Sequence, residues 1–353
     1  MGQGYFPGAT IVVARGGKIV YEKSYGYAML NDMGVRLDDP RPMEMNTMFD
    51  MASCTKIMAT TQSIMKLYSE GKIDLDATVA SYIPEFAKNG KENVTVHQLL
   101  THTSGLPQWK AMFLYIDKDK SKVLDYICNC ELMFAPGEEK YSDLGFQMLG
   151  FLVERITGRD MDEYVQNEIY KPLNLKRTTY LPLKNGFTTD DLAATSFGNP
   201  YEYAMVDEIG HPASATIAPP IWMPSANSMA GAITRWSASA TMATHGWQTA
   251  VLAGHAGLYS DAEDLAVLCQ AMLNGGIYKA SACIVRMSLI CSPASRTASL
   301  PVVWALSVAR PLWDAATVTM THSATRASRY ACRDEQDQQN GGRFPHEQAE
   351  CRV

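Results

Sequence analysis

The chain lacks any apolar run long enough to cross a bilayer. Its start, Met1-Gly2-Gln3-Gly4-Tyr5-Phe6-Pro7, lacks the basic and apolar segments of a secretory leader. The expected location is therefore the cytoplasm, or the periplasm or another extracytoplasmic space if a leader has been removed. Positive charge is also short. Against 37 Asp and Glu stand 31 Lys and Arg, a formal net charge of -6, which argues against nucleic acid as a partner. The eight cysteines show no metal-ligand spacing. Cys128-x-Cys130 is too tight for a zinc pair, so no metal is expected and the thiols are read as reduced. No internal repeat and no low-complexity tract precedes the tail.

What is present is enough apolar material for a full core, 46% of 353 residues, in one large domain or two intimate ones. Residues 9–14 and 18–23 are β-rich runs joined by Arg15-Gly16-Gly17, a hairpin that starts an antiparallel sheet. Residues 27–48, rich in Met, Asp and Pro, read as irregular. Phe49-Asp50-Met51-Ala52-Ser53-Cys54-Thr55-Lys56 then opens a helix whose apolar face is Ile57, Ile64, Met65 and Tyr68, stopped by Gly71. Ser53 falls at the helix start with Lys56 one turn on and on the same face. A serine hydroxyl needs a nearby base or cation to become a nucleophile. The unpaired N–H groups of a helix start suit a developing oxyanion.

The same spacing occurs at Ser63/Lys66 and Ser69/Lys72, inside or at the end of that helix, where solvated polar side chains are the plainer reading. A short helix runs through Leu99-Leu100 into the loop Thr101-His102-Thr103-Ser104-Gly105-Leu106-Pro107. Residues 121–133 read as a helix. The turn Phe134-Ala135-Pro136-Gly137-Glu138 precedes Tyr141-Ser142-Asp143 and a strong helix over 144–156, closed by Gly158. Asp160 can cap another helix through Ile169, and a further helix runs from Asp261 to Leu273 behind Gly254-His255-Ala256-Gly257-Leu258. Tyr-x-Asp recurs at Tyr115/Asp117 and Tyr259/Asp261; in the latter, Ser260 or Asp261 is better read as a helix cap.

Together these segments resemble the serine β-lactamase-like hydrolases: class C β-lactamases, D-alanyl-D-alanine carboxypeptidases of the penicillin-binding type and family VIII carboxylesterases. The resemblance is carried by residues 49–56, 96–107, 136–158 and 254–276, in matching order. It implies an α+β, β-lactamase/transpeptidase-like fold, an antiparallel sheet flanked by helices plus a mostly helical subdomain over about 75–200. The hydrolase domain would span 1–276. In the family's roles Ser53 is the acylated nucleophile, Lys56 its hydrogen-bonded partner, and Tyr141 the member that passes the proton to the leaving group. Lys56 would favour the Tyr141 phenolate. Asp143 stands on the substrate side, where β-lactamases usually carry Asn. The substitution removes an amide donor, which weakens the β-lactamase reading and leaves the esterase or peptidase reading open. His97 and His102 could suggest a Ser-His-Asp site, but Lys56 and Tyr141 already cover the proton chemistry, and the loop holding His102 reads as a buttress. His255 reads as part of a turn lining the cleft. The implied partners are small-molecule esters, D-Ala-type peptides or β-lactams, with no cofactor. The sequence does not fix an oligomeric state.

The pattern breaks over 213–253 and after 276, where no Lys/His-Thr-Gly strand appears. The tail, 277–353, is atypical, and about its last twenty residues read as disordered. Frame-shifted reading of the gene would account for both stretches. With free codon choice, 234–253 and 323–332 shifted by two bases can yield family-like strings, the second containing Gly-Tyr-Thr-Gly. The DNA sequence tests this. Residues 302–308 and 316–320 alternate enough to offer substitute strands. The missing strand would carry one oxyanion N–H, whose loss costs roughly 10²–10³ in rate. The alternative to an active hydrolase is therefore a catalytically impaired, penicillin-recognising or scaffold protein.

Overall fold

The chain begins as a hairpin because Gly16 and Gly17 occupy left-handed backbone, at φ of 58° and 72°. A two-residue loop with positive φ at both positions matches the twist of its flanking strands, and glycine supplies it without steric penalty. Arg15 pairs with Lys18 across the turn. This computed structural model describes residues 6–32, 35–110, 119–195 and 254–274, with the backbone of 277–278, 281–282 and 350–352.

The elements in order are β1 (Gly8–Arg15), β2 (Lys18–Asp32), β3 (Val35–Pro42), β4 (Phe49–Asp50), α1 (Gln62–Ser69), α2 (Val79–Tyr82), α3 (Val96–Leu100), α4 (Lys120–Asn129), α5 (Asp143–Thr157) and α6 (Met161–Val165). They continue with β5 (Thr179–Tyr180), β6 (Leu258–Ser260), α7 (Ala262–Leu273), β7 (Ile277–Tyr278), β8 (Ser281–Ala282) and β9 (Glu350–Arg352). The first sheet has the order β3-β2-β1-β9 and is antiparallel throughout. A smaller sheet, β4-β6-β5, joins the nucleophile approach to residues from much later in the chain. Strands β7 and β8 pair with each other. Antiparallel strands beside helices make the class α+β, as the resemblance implies.

Most of the stretch 27–48 is not irregular; of its described residues only 43–48 are. β2 continues to Asp32, and β3 runs alongside it in spite of Asp38, Asp39, Pro40 and Pro42. β3 is the outer strand and mostly exposed, a position that tolerates proline and charge because no further partner needs its N–H groups. The expected helix over 121–133 is shorter and ends at Asn129, with Cys130 already extended. Asp160 precedes α6 but makes no side-chain cap; its carboxylate accepts from Lys120 instead.

The main core forms where α1 and α5 pack together. Leu144, Phe146, Leu149, Leu152 and Val153 of α5 are all buried against Ile57, Ile64 and Leu67. Each such side chain contributes about 1.5–3 kcal/mol on leaving water, so Leu149→Ala would cost about 2–5 kcal/mol. α7 lies on β1 through Val12, Ala262 and Ala266. The expectations for 213–253, the Tyr115/Asp117 pair, the substitute strands 302–308 and 316–320, and the shifted segments lie outside the described residues. So does most of the tail, whose residues 350–352 form β9 on the outer edge of β1.

Candidate active site

The strand β4 delivers the chain to the site along β6, where Met51 N–H donates to Leu258 O at 2.9 Å. Asp50 Oδ1 then accepts from Ala52 N–H at 2.7 Å, a local turn that lifts the backbone out of the strand. Ala52 sits at φ 43°, which a residue with a Cβ rarely adopts. Strain of this kind persists where surrounding contacts over-determine it and concentrates at functional positions. Ser53 follows in a single 3₁₀ turn, Ala52–Cys54. The next segment, Lys56–Thr61, winds as a π turn before α1 begins at Gln62, so the helix expected from Ser53 onward is three geometries in succession.

Lys56 is 1% exposed and Asp143 18%. The Lys56 Nζ donates to Ser53 Oγ at 3.1 Å and to His255 O at 3.0 Å, and lies 2.7 Å from Asp143 Oδ1. The ammonium thus donates to two oxygens and forms an ion pair with Asp143, with Tyr141 also beside it. Tyr141 OH donates to Ser53 Oγ at 2.8 Å. The structure thus brings together Ser53, Lys56, Tyr141 and Asp143, all four of the residues singled out by sequence.

The charge balance differs from the sequence expectation. Burial works against the Lys56 ammonium, but the Asp143 carboxylate and Tyr141 outweigh it and raise its pKa above the ordinary lysine value. Burial also raises the Tyr141 pKa; Lys56 opposes this and Asp143 reinforces it, with the net shift upward. Lys56 therefore does not make the phenolate the resting form. The Cys54 thiol beside the nucleophile is pushed up to about 11 by burial and does not compete with Ser53.

Loop 101–108 braces this cluster. The His102 Nδ1 accepts from Ser142 N–H at 3.0 Å, which puts the ring proton on Nε2. Its ring lies 4.5 Å from that of Tyr141 and 5.0 Å from that of Phe146. Burial, and then the nearby Lys56 charge, lower its pKa to about 3, so the imidazole is neutral. Ser142 caps α5 by accepting from Gly145 N–H and also donates to Pro107 O at 2.7 Å. Asp143 N–H donates to Gln108 O at 2.8 Å.

The turn expected to line the cleft at 254–258 is a second brace. Residues 254–258 are stitched to the nucleophile segment by Thr60 Oγ1 donating to Gly254 O, Lys56 to His255 O, and Leu258 N–H to Thr55 Oγ1. Gly254 touches α5 so closely that a Cβ there would lie 2.2 Å from Phe146 O. The Gly-His-Ala-Gly string gave the turn, but nothing in it singled out the His255 carbonyl as a partner of Lys56.

The competing pairs serve the scaffold. Ser63 Oγ donates to Ala59 O, Ser69 Oγ to Lys66 O, and Lys66 and Lys72 both pair with Glu70. Tyr259 is buried in β6, and Asp261 caps α7 by accepting from Asp264 N–H. Among the described residues no group of three or more His, Cys, Asp or Glu could hold a metal, and no helix is long and apolar enough to span a membrane.

Sheet, flanking helices and a Ser-x-x-Lys cluster at the entry to the central helix define a β-lactamase/transpeptidase-like fold. Residues 1–282 match the Beta-lactamase family model, and the chain belongs to that family of hydrolases. It is 34% identical over 287 residues to the N-acetylmuramyl-L-alanine amidase of Bacillus subtilis strain 168, covering 78% of this chain and 60% of that protein. It is 35% identical over 287 residues to a protein of Salmonella agona provisionally named a D-alanyl-D-alanine carboxypeptidase, covering 77% and 62%. The chain thus spans about three fifths of the length of these curated relatives. Among solved structures, the octameric penicillin-binding protein homologue from Pyrococcus abyssi superposes with a TM-score of 0.56 at 22% identity, over 81% of this chain and 56% of that one.

Proposed function

We propose that the chain is a serine hydrolase that forms an acyl-enzyme at Ser53, with esters and amides of small acyl groups as substrates. One observation carries this reading: Ser53 Oγ accepts hydrogen bonds from both Lys56 Nζ and Tyr141 OH. In the first step Oγ bonds to the substrate carbonyl carbon while the Ser53 proton passes to the Lys56–Tyr141 pair. The acceptor is the minor form in which Tyr141 is phenolate, and the adjacent ammonium favours that form. The pair returns the proton to the departing alcohol or amine. Water then repeats the sequence, losing its proton to the pair as its oxygen attacks the acyl-serine, and Ser53 leaves with a proton.

The relatives' names point to amide bonds of muramyl-alanine or D-alanyl-D-alanine type, and the family extends the range to simple esters and β-lactams. Residues 1–276 would form the hydrolase domain, with 75–200 as its helical part. Intact mass after treatment with a fluorescent penicillin or a fluorophosphonate tests the proposal. An adduct in the wild type that is lost in Ser53→Ala supports it; no adduct with either probe overturns it. A second reading is favoured by the lack of a Lys/His-Thr-Gly string after residue 276. In that reading the chain is acylated and does not turn over, acting as a penicillin-recognising protein. Labelling without hydrolysis of p-nitrophenyl butyrate or nitrocefin selects it.

A further inference from the structure

Tyr141 lies outside any helix or strand, between the turn 134–138 and α5, yet its phenol must meet Ser53 Oγ at 2.8 Å. The residues after it are held to Pro107 and Gln108 through Ser142 Oγ and Asp143 N–H. Tyr141 itself is gripped from the opposite loop by the buried His102. The His102 carbonyl accepts from Lys140 N–H at 2.8 Å, and its Nδ1 accepts from Ser142 N–H at 3.0 Å. Its ring lies 4.5 Å from the Tyr141 ring. One residue thus holds both chain neighbours of Tyr141 and the tyrosine ring. It does so from left-handed backbone at φ 58°, which persists where surrounding contacts over-determine it. An apolar side chain would fill the same space but could not accept the Ser142 N–H.

We infer that His102 is a positioning residue for acylation: it acts through Tyr141, fixing the angle and distance at which the phenol meets Ser53 Oγ. This deepens the acyl-enzyme reading above and rests on it. The imidazole is not the proton carrier, because it is neutral and its one basic nitrogen is already occupied by the Ser142 N–H. Its effect is geometric. A reacting group misplaced by about 1 Å costs about 10² in rate. Without the two bonds the chain at 140–142 can turn about the fixed start of α5. The phenol then swings off Oγ while α5 and the core beneath it stay in place.

A four-protein cycle tests this: wild type, His102→Gln, Tyr141→Phe and the double variant, with acylation of Ser53 by a fluorophosphonate followed by intact mass. Gln keeps an amide oxygen but carries it one bond further out than Nδ1. His102→Gln is expected to slow acylation by about 10² in the wild type, and to change the rate of Tyr141→Phe by less than about threefold. The same factor in both backgrounds would show a merely structural role and overturn the inference. If His102→Gln does not fold, His102→Asn takes its place in the cycle. Its Oδ1 stands where Nδ1 does, so only the ring contact is lost and the slowing should be about tenfold, again absent beside Tyr141→Phe. In the wild type, ¹⁵N NMR at neutral pH should find the His102 ring as the neutral tautomer protonated on Nε2, and a proton on Nδ1 overturns the grip. Failure of the acyl-enzyme reading looks different, because wild-type Ser53 then gains no adduct at all.

Discussion

His102 makes the protein acid-labile in a way that one substitution isolates. The folded chain holds its imidazole neutral down to about pH 3, against an ordinary value of 6.5. Protonation would place a charge beside Lys56 and remove the acceptor of the Ser142 N–H. Between those two values the unfolded chain binds a proton that the folded chain refuses, so stability rises with pH across this window and is lost on acidification. Each unit is worth about 1.4 kcal/mol. Because the unfolded ring is already half protonated at pH 6.5, acidification from pH 6.5 to 4.5 should therefore remove about 2.3 kcal/mol through this one ring. His102→Asn is the informative variant. Asn tolerates the left-handed backbone at φ 58°, and its Oδ1 can take the Ser142 N–H, but it does not titrate. Loss of the ring contacts to Tyr141 and Phe146 should cost about 2–4 kcal/mol at every pH. The pH dependence is the readout, not the offset. Urea unfolding followed by far-UV circular dichroism at pH 6.5 and 4.5 should show the wild type losing about 2.3 kcal/mol more than the variant. Equal losses in the two proteins would refute the reasoning.

Asp261 should act in the opposite direction: burial raises its pKa from 3.8 to about 6, so the folded chain takes up its proton first as pH falls. Its ionised form is then a burden of up to about 3 kcal/mol above pH 6 that is relieved toward pH 4. Asp261→Asn keeps an acceptor for the Asp264 N–H and should raise the urea midpoint at pH 7.5 but not at pH 4; no gain at pH 7.5 would count against the shift. In Gly254→Ala, the new Cβ meets backbone on α5, which cannot swing aside, so the 254–258 turn must move and take the His255 carbonyl from Lys56. About 1–3 kcal/mol of stability should be lost, with slower acylation by a fluorophosphonate; a variant equal to wild type in both would show that the close approach has no consequence. Tyr141→Phe removes a donor to Ser53 at little expense in packing, so acylation measured by intact mass should slow by about 10²–10⁴ with the melting temperature near that of the wild type. An unchanged rate would take the phenol out of the proton path.

How far these features could be read from sequence depended on the distance over which each is decided. The β1–β2 hairpin and α5 were legible because a Gly-Gly turn and a helix closed by Gly158 are decided within a few residues of chain. β3 was not, because Pro and Asp argue against a strand, and only its place on the outer edge of the sheet permits them. The π turn over Lys56–Thr61 also left no trace, since six residues do not distinguish its period from that of an α-helix. At the site, side-chain types gave away Ser53, Lys56, Tyr141 and Asp143. The third acceptor of Lys56 is a backbone carbonyl 199 residues away, and every residue in the chain has a carbonyl. The charge state was misjudged for the same reason. Lys56 beside Tyr141 predicts a phenolate when the two are considered alone, but burial of both and the 2.7 Å contact with Asp143 reverse the balance. A Ser-x-x-Lys motif with a distant tyrosine thus identifies which groups can exchange a proton, while the direction in which it rests is decided first by burial and then by the charges of Lys56 and Asp143, which only the packing of α5 reveals. Asp143 at that position is therefore not equivalent to Asn. The two are the same size, but they differ by a full charge and by an N–H donor at the point where the nucleophile must lose its proton.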